Sequence, residues 1–327
     1  GENGLLEGGG GADIGTGGAV GKVADIEAGM GVGVDSASTS ECGSAGKRAH
    51  SESESESGTG SGGKDAAESI HTATDTPILV YSGDSSSIDL ILTFGGDGLL
   101  LHCSSLHSHQ SVPPVMSFDF GSLGFLSPFL YENFREEVEA ALTGDLMLTL
   151  RMRLECTMIR DGKEAESYSV LNEAVIDRGP SPYLSVLDLA CDDEYITTLQ
   201  GDGIIFATPT GSTAYSLAAG GSIVYPSVPT ILLTPICAHS LSFRPMMLPD
   251  SAVLTCEVPE DCRSSGWVSF DGKHRQELHR GEKLVVRMSP YPVPTVNKHS
   301  FTGDWLDSLR AGFMYNLRPR QSGKAPQ

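Results

Sequence analysis

The sequence predicts an α/β domain with a parallel sheet, followed by a mainly β domain and a C-terminal helix. Within residues 88–142, two apolar runs each end in a glycine-containing turn and lead into a helical pattern. Alternating strands and helices are typical of a parallel sheet. From Leu146 to about Val296, short strands alternate with turns, which indicates a β domain. Apolar side chains at helical spacing in residues 304–317 predict the last helix.

Domain boundaries follow from shifts in composition. Residues 1–76 are rich in glycine and serine, with 13 Asp and Glu against 4 Lys and Arg. Such a segment cannot bury enough apolar surface to offset chain entropy, so we expect it to be disordered. We expect an α/β domain over residues 77–145, a β-rich domain over 146–300, and a helix and tail over 301–327. Because the low-complexity segment fills the place before Pro77, the α/β domain would be truncated at its N-terminus.

The elements of the α/β domain can be placed individually. Strands are expected at Ile78–Tyr81, 88–94 and Val115–Phe118. Ser127 followed by Pro128 is typical of a helix start, and Gly144 of a helix end. Both glycine loops follow strands, so they should meet at the carboxyl edge of the sheet, where ligands bind in open α/β folds.

The β domain opens with a regular alternation of apolar and polar residues. Residues 146–155 therefore predict one strand with one buried face. Asp161-Gly162 predicts a hairpin turn, with Tyr168–Ile176 as the returning strand. Further turns are expected at Asp192-Asp193, Asp202-Gly203 and Asp271-Gly272.

Composition excludes several classes of function. The formal net charge of −20 argues against nucleic acid or an anionic membrane as a partner. No apolar stretch approaches the length of a membrane span. Seven scattered cysteines without a C-x-x-C pair predict reduced thiols and a cytoplasmic protein. A mitochondrial location stays open, because the chain begins at Gly1 and a targeting segment could precede it.

The turn Gly95-Gly96-Asp97-Gly98 is the first candidate site. Its glycines let the backbone approach a ligand closely, and the helix that follows favours an anion at its N-terminus. A carboxylate beside phosphate is repulsive unless it holds a metal ion or accepts a proton from a substrate hydroxyl. Asp97 therefore indicates phosphoryl transfer, although a tight strand–helix turn capped by Asp is the alternative.

Two further candidates lie in the β domain. Asn172-Glu173 interrupts an otherwise apolar strand and could bind a vicinal diol such as a ribose; an exposed strand face is the alternative. The segment Thr208–Ser216 places small hydroxyl residues, a glycine and Tyr215 after a strand. Hydroxyls and backbone N–H groups can bind phosphate or an amide-bearing base, and Tyr215 can stack on a ring.

Taken together and in this order, the motifs resemble those of the NAD kinases, most closely the eukaryotic members. The matching elements are Gly95–Gly98, Gly121–Leu126, Leu171–Glu173, Gly201–Gly203, Thr208–Tyr215, Pro235–Pro245 and Val268–Gly272. The Gly-Gly-Asp-Gly turn alone also occurs in diacylglycerol and sphingosine kinases. The Thr208–Tyr215 segment separates this chain from those lipid kinases.

The resemblance implies ATP-dependent phosphorylation of the 2′-hydroxyl of the adenosine ribose of NAD. Asp97 would be the catalytic carboxylate, acting as a base or through Mg²⁺ that arrives with ATP, without a protein cage for the metal. Gly95, Gly96 and Gly98 would line the phosphate path. The NAD site would consist of Phe125, Asn172, Glu173, Asp202, Thr210, Thr213, Ala214, Tyr215 and Asp271. The resemblance also implies a homodimer or homotetramer, and a C-terminal helix that packs back on the first domain.

Two departures from the family pattern leave alternatives open. The family turn usually continues with Thr, whereas this chain has Leu99, which has no hydroxyl. Members usually also carry a strand and a helix before the first strand predicted here. These departures keep open a catalytically impaired NAD(P)-binding or regulatory homologue. A lipid kinase that shares only the turn is a third alternative.

Overall fold

The fold is given by a computed structural model that describes residues 23–26, 81, 83–121 and 124–315. The helices and strands named below belong to one compact unit, formed by residues 1–27 and 85–327. Residues 28–84 form a second unit, of which residues 81, 83 and 84 are described. No described helix is long and apolar enough to cross a membrane.

The first layer is a mostly parallel sheet that carries the Gly95–Gly98 turn. Its strands follow the order β1-β2-β3-β18-β5, and β4 pairs with β3. The strands β1 to β4 and β18 run parallel where they pair, and β5 is antiparallel to β18. Their bounds are β1 Val23–Ile26, β2 Leu90–Phe94, β3 Val115–Asp119, β4 Phe129–Leu130, β5 Leu148–Arg151 and β18 Val293–Val296.

Two helices cover this sheet. Helix α1 is Asp97–Leu106 and helix α2 is Phe134–Thr143. Leu100 and Cys103 of α1 belong to one apolar cluster with Ile91 and Val115 of the sheet. Phe134, Val138 and Ala141 of α2 pack against a second cluster, which contains Leu90, Leu92, Met116 and Phe118. The clusters use alternate residues of β2, so they lie on opposite faces of the sheet.

The β domain consists of two antiparallel sheets of six strands each. One has the order β10-β9-β14-β17-β6-β7 and the other β13-β12-β11-β8-β15-β16. Residues from both sheets form a single core cluster, which includes Leu154, Leu189, Ile176 and Phe206. The strands are β6 Leu154–Arg160, β7 Lys163–Val170, β8 Glu173–Asp177, β9 Ser185–Cys191, β10 Glu194–Gly201, β11 Gly203–Ala207, β12 Thr230–Ile236, β13 Met246–Pro249, β14 Leu254–Glu257, β15 Gly266–Phe270, β16 Lys273–Leu278 and β17 Lys283–Met288.

Two further helices pack around these sheets. Helix α3 is Tyr215–Ala218 and helix α4 is Phe301–Phe313, with Ser300 as its N-cap. The ring of Phe313 lies 4.6 Å from that of Phe125, centroid to centroid. The predicted C-terminal helix is therefore confirmed, and it packs on the loop that follows β3.

Several predicted boundaries differ from the structure. Val23–Ile26, within the segment expected to be disordered, forms β1 because β2 offers it a parallel partner. The rest of residues 1–76 lies outside the described residues, as do Ile78–Val80 of a predicted strand, whose last residue, Tyr81, is not in a strand. Asp202 lies between two strands of different sheets and makes no hairpin.

The predicted helix start at Ser127 is wrong. Helix α2 begins only at Phe134, after β4 and a short 3-10 turn at Tyr131–Asn133. Phe129 and Leu130 pair with the end of β3, and the buried Phe129 joins the core beneath α2. Tertiary pairing overrides the local helix signal here. Ser127 is fully buried and instead directs its hydroxyl towards Asp97.

The alternating segment 146–155 forms two strands rather than one. β5 belongs to the parallel sheet and β6 to the β domain, and the chain crosses between them at Met152 and Arg153. Arg153 is fully buried, because its guanidinium donates to four backbone carbonyls: those of Ser104, His107, Gln110 and Tyr291. β5 and β18 therefore complete the first sheet from within residues expected to belong to the second domain.

Candidate active site

The Gly95–Gly98 turn lies at the carboxyl end of β2. Gly96 is the N-cap of α1 and Asp97 is its first residue. Gly96 and Gly98 are exposed, and Asp97 is half-buried. The exposed backbone N–H groups at this helix start suit an anion such as a phosphate group. Gly95, Gly96 and Gly98 thus lie at a strand–helix junction, and their role in phosphate binding stays a prediction.

The Asp97 carboxylate is held by the loop that follows β3. Oδ2 accepts a hydrogen bond from the backbone N–H of Phe125 at 2.9 Å, and Oδ1 accepts one from Leu126 at 2.9 Å. The Ser127 hydroxyl lies 3.5 Å from Oδ1. A Cβ at Gly124 would overlap Oδ1, so only glycine fits at that position. The two glycine loops therefore build one site, with the carboxylate fixed in orientation.

The start of α1 has no side-chain cap. The N-cap residue, Gly96, has no side chain that could bind the free N–H groups of the helix. The N–H of Leu99 donates to the carbonyl of Gly96 at 2.9 Å. Leu99 is half-buried, and its Cδ2 lies 3.3 Å from the Cβ position of Gly95. The side chain thus packs beside the turn, where a threonine would place a hydroxyl.

The Asn172-Glu173 segment is shaped by Asp271. One carboxylate oxygen of Asp271 accepts from the N–H of Asn172 and Glu173, and the other accepts from Leu171, at 2.8–3.0 Å. Three donated hydrogen bonds offset part of the cost of burial, which nevertheless raises the pKa of Asp271. The oxygens of Asp271 therefore organise the segment, which is not the exposed strand face considered as an alternative.

Glu173 is a strongly perturbed carboxyl group of the site. Its side chain is 9% exposed, and its Oε2 has no hydrogen-bond partner among the described residues. Burial first, and then the charge of Asp271, raise the pKa of Glu173 to about 8, while the backbone N–H of Tyr215 acts in the opposite direction. A buried carboxyl oxygen without a partner can accept a hydrogen bond from a substrate hydroxyl.

The Thr208–Tyr215 segment packs directly on Asn172. The N–H of Thr208 donates to the carbonyl of Asn172 at 2.9 Å, and the Thr208 hydroxyl donates to that of Leu171 at 2.5 Å. A Cβ at Gly211 would overlap the carbonyl oxygen of Asn172. Thr210–Thr213 form a 3-10 turn, within which the Thr213 hydroxyl donates to the carbonyl of Thr210. The predicted hydroxyl segment is therefore compact and lies beside Asn172-Glu173. Its residues from Thr210 onward form the Thr210–Tyr215 wall.

Tyr215 and Asp202 lie at the outer side of this wall. Ala214 leads into α3, and the Tyr215 side chain is 44% exposed, so its ring is available to a ligand. Burial and the surrounding carboxyl groups, Asp202 and Glu173 among them, raise the pKa of the Tyr215 phenol. Asp202 itself forms an ion pair with Arg178, at 3.1 Å.

Arg151 connects the two groups of residues. It is the last residue of β5, and its Nη1 donates to the hydroxyl of Thr210 at 3.4 Å. Burial lowers the pKa of the Arg151 guanidinium to about 10, and the nearby Asp97 carboxylate offsets part of that shift. Arg151 therefore lies close to Thr210 and within the electrostatic influence of Asp97. The alternating sequence pattern places Arg151 on the polar face of a strand, so no sequence signal marks it.

Two family models match this chain. The ATP-NAD kinase N-terminal domain matches residues 26–146, and the ATP-NAD kinase C-terminal domain matches residues 171–298. The crystal structure of yeast NADH kinase complexed with NADH has a TM-score of 0.68 and 36% identity, covering 72% of this chain and 69% of that one. The chain belongs to the NAD kinase family.

Two relatives of this NAD kinase family member show how the lengths compare. A probable chloroplastic NAD kinase 2 of rice (Oryza sativa) is 52% identical over 248 residues, which are 73% of this chain and 25% of the relative. The NAD(+) kinase of Saccharomyces cerevisiae is 46% identical over 248 residues, 71% of this chain and 46% of the relative. The chain thus spans less than half the length of both.

Metal binding by this family member can be tested against the donor groups present. Within the described part of the chain, no three His, Cys, Asp or Glu side chains come together as a metal cage. Asp97 is the carboxylate at the phosphate turn, and its two oxygens each already accept a backbone hydrogen bond. Their remaining lone pairs fit one contact to a hard cation that other ligands also hold.

Proposed function

We propose that this protein transfers the γ-phosphoryl group of ATP to the 2′-hydroxyl of the adenosine ribose of NAD, giving NADP and ADP. The observation that carries the proposal is the Asp97 carboxylate, held at a strand–helix turn by two backbone N–H groups, in a chain of the NAD kinase family. The packing of Thr208 on Asn172 adds a second candidate site for the nucleotide acceptor. The S. cerevisiae relative is named an NAD(+) kinase, which supports the same reaction here.

The residues divide between the two substrates. Gly95, Gly96 and Gly98 would leave the backbone open to the phosphates of ATP. Asn172 and Glu173 would hold a ribose, with Phe125, Thr210, Thr213, Ala214 and Tyr215 shaping the pocket. Asp202 and Asp271 would act from the edge, the latter by fixing the backbone of residues 171–173.

Asp97 has the central chemical role in this proposal. The ribose oxygen attacks the γ-phosphorus, the bond from that phosphorus to the leaving ADP oxygen breaks, and Asp97 accepts the hydroxyl proton. Mg²⁺ bound with ATP would neutralise phosphate charge, and Asp97 is the side chain placed to contact it. Phe125 and Leu126 hold the carboxylate in place for this step.

A steady-state assay tests the proposal. Purified protein with ATP, Mg²⁺ and NAD should form NADP, measured with an NADP-specific dehydrogenase as the coupling enzyme. Asp97→Asn should lower kcat by a factor of about 10² or more, because general-base catalysis contributes on that order, while NAD binding measured by calorimetry persists. Full activity of Asp97→Asn would disprove the role of Asp97.

The Leu99 position favours one second candidate, an NAD(P)-binding homologue with impaired catalysis. That candidate predicts nucleotide binding without turnover, and turnover by a homogeneous preparation would exclude it. A homo-oligomer and a cytoplasmic location are further proposals. Sedimentation tests the oligomer, and imaging of the full-length protein tests the location. A rice relative is named chloroplastic.

A further inference from the structure

Arg151 bonds to residues of both the parallel sheet and the Thr210–Tyr215 wall. It ends β5, the last strand of the parallel sheet before the chain crosses to the β domain. Its Nε donates to the Thr295 hydroxyl of β18 at 3.0 Å, and its Nη1 donates to the Thr210 hydroxyl at 3.4 Å. One guanidinium therefore joins a strand of the first sheet to the first residue of the Thr210–Tyr215 wall.

The same guanidinium lies next to the machinery that holds Asp97. Arg151 and Leu126 line one cleft, and the N–H of Leu126 binds the Asp97 carboxylate. The Asp97 carboxylate opposes the lowering of the Arg151 pKa by burial, and no ion pair between the two side chains is found among the described residues. A positive charge beside the turn also opposes the repulsion between Asp97 and an incoming phosphate group.

We propose that Arg151 is a positioning residue, which fixes the Thr210–Tyr215 wall relative to the sheet that carries Asp97, in one geometry for phosphoryl transfer. The inference rests on the proposed function and deepens it. An arginine suits this role because its planar fork donates from Nε and Nη1 in fixed directions. A lysine supplies the charge from a single point and cannot make both hydrogen bonds.

Two substitutions of Arg151 separate charge from geometry. Arg151→Met should lower kcat and kcat/KM for NAD by a similar factor, about 10- to 100-fold, because small misplacements at a reacting centre are costly. The KM for NAD should stay within about threefold, since Thr210 keeps its backbone contacts. Arg151→Lys restores the charge alone and should give a kcat between those of Arg151→Met and the unmodified protein.

Arg153→Met is the matched control. Arg153 lies two residues away and is fully buried, whereas Arg151 is half-buried, and Arg153 binds carbonyls at the far end of α1. The Arg153→Met substitution should lower the melting temperature, and its fall in kcat should follow the folded fraction. Thr210→Val serves where Arg151→Met fails to fold. It removes one acceptor of Arg151 and should reproduce a part of the loss in kcat.

The outcomes distinguish the two proposals. Absence of NADP formation by the unmodified protein would overturn the proposed function, and the inference with it. With an active unmodified protein, the inference alone is overturned if Arg151→Met or Thr210→Val leaves kcat within twofold. It is also overturned if the loss is confined to KM, or if it follows the folded fraction as in Arg153→Met.

Discussion

At the scale of single residues, the site depends on a few side chains whose environments are unusual. Asp97 is fixed by two backbone N–H groups from a second loop, and Asp271 by three from a neighbouring segment. Glu173 lacks a partner at Oε2 within the described residues. These backbone hydrogen bonds fix the orientation of Asp97 and Asp271, and the unpaired oxygen of Glu173 is open to a ligand group.

The pKa of Glu173 predicts how stability depends on pH. The folded protein raises this pKa from 4.5 to about 8, so the folded state binds the proton more tightly than the unfolded state. This contribution to the stability is fully present below about pH 4.5 and is lost as pH rises towards 8. The raised pKa of Asp271 acts in the same direction.

Glu173→Gln tests this dependence. Without ligand, it should stabilise the fold at pH 8 by an amount on the order of 2–4 kcal/mol, because the buried charge is removed. Urea unfolding at pH 5 and pH 8 measures the difference. Glu155→Gln, at a more exposed carboxyl group paired with Arg287, is the control. An equal effect of Glu173→Gln at both pH values would contradict the assignment.

Leu99 gives a second prediction at this scale. Leu99→Thr places a hydroxyl in the first turn of α1, beside the phosphate turn, and should lower the KM for ATP by roughly fivefold, which corresponds to one hydrogen bond of about 1 kcal/mol. Leu99→Val, which has the shape of threonine without the hydroxyl, should not produce this gain. Titration of ATP at saturating NAD compares the three proteins. Equal gains from Thr and Val would assign the effect to size.

At the scale of elements, α1 is anchored at both ends by side chains from elsewhere in the chain. Its first residue, Asp97, is bound by the loop after β3, and its last carbonyls accept hydrogen bonds from Arg153. A cation at a helix C-terminus also interacts favourably with the helix dipole. Helix α1 therefore cannot shift along its axis without breaking one of these contacts.

Arg153→Met should destabilise the protein by roughly 3 kcal/mol, because several buried carbonyls lose their donor. The melting temperature should fall by about 6–12 °C on that basis. Arg287→Met is the control, since its ion pair with Glu155 is exposed and worth less than about 1 kcal/mol. Differential scanning calorimetry compares the two. Similar small shifts for both would show that Arg153 is not an anchor.

Sequence reasoning predicted the elements whose signals are local. The strands β2 and β3, the helix α4, and the hairpin turns at Asp161 and Asp271 follow from periodicity and turn chemistry. It failed where distant pairing decides, as at Ser127, where β4 replaces a helix start. It also could not find Arg151. The sequence pattern alone does not distinguish an arginine that bonds within the fold from one exposed on a polar strand face.

At the scale of the whole molecule, the first sheet is assembled from distant parts of the chain. β18 lies between β3 and β5, and Thr295 pairs with Val115. The sheet that carries the phosphate turn therefore requires residues from β2 to β18. The phosphate turn, although contiguous in sequence, is built on a sheet that is complete only with the last strand.

A truncation tests this dependence. A chain ending after residue 290 lacks β18 and α4, and should lose cooperative unfolding of the parallel sheet, because β3 and β5 lose the strand between them. A chain ending after residue 299 keeps β18 and is the control. Near-ultraviolet circular dichroism and limited proteolysis compare the two. Cooperative, protease-resistant behaviour of the shorter chain would disprove the requirement.

The pairing of Val115 with Thr295 also has a consequence for synthesis. These residues are 180 positions apart, so at about 5–20 residues per second the ribosome needs roughly 9–36 s to supply the second after the first. During that interval the nascent chain carries β3 with an open edge. The sheet that bears the phosphate turn can therefore be completed only after residue 295 has been synthesised.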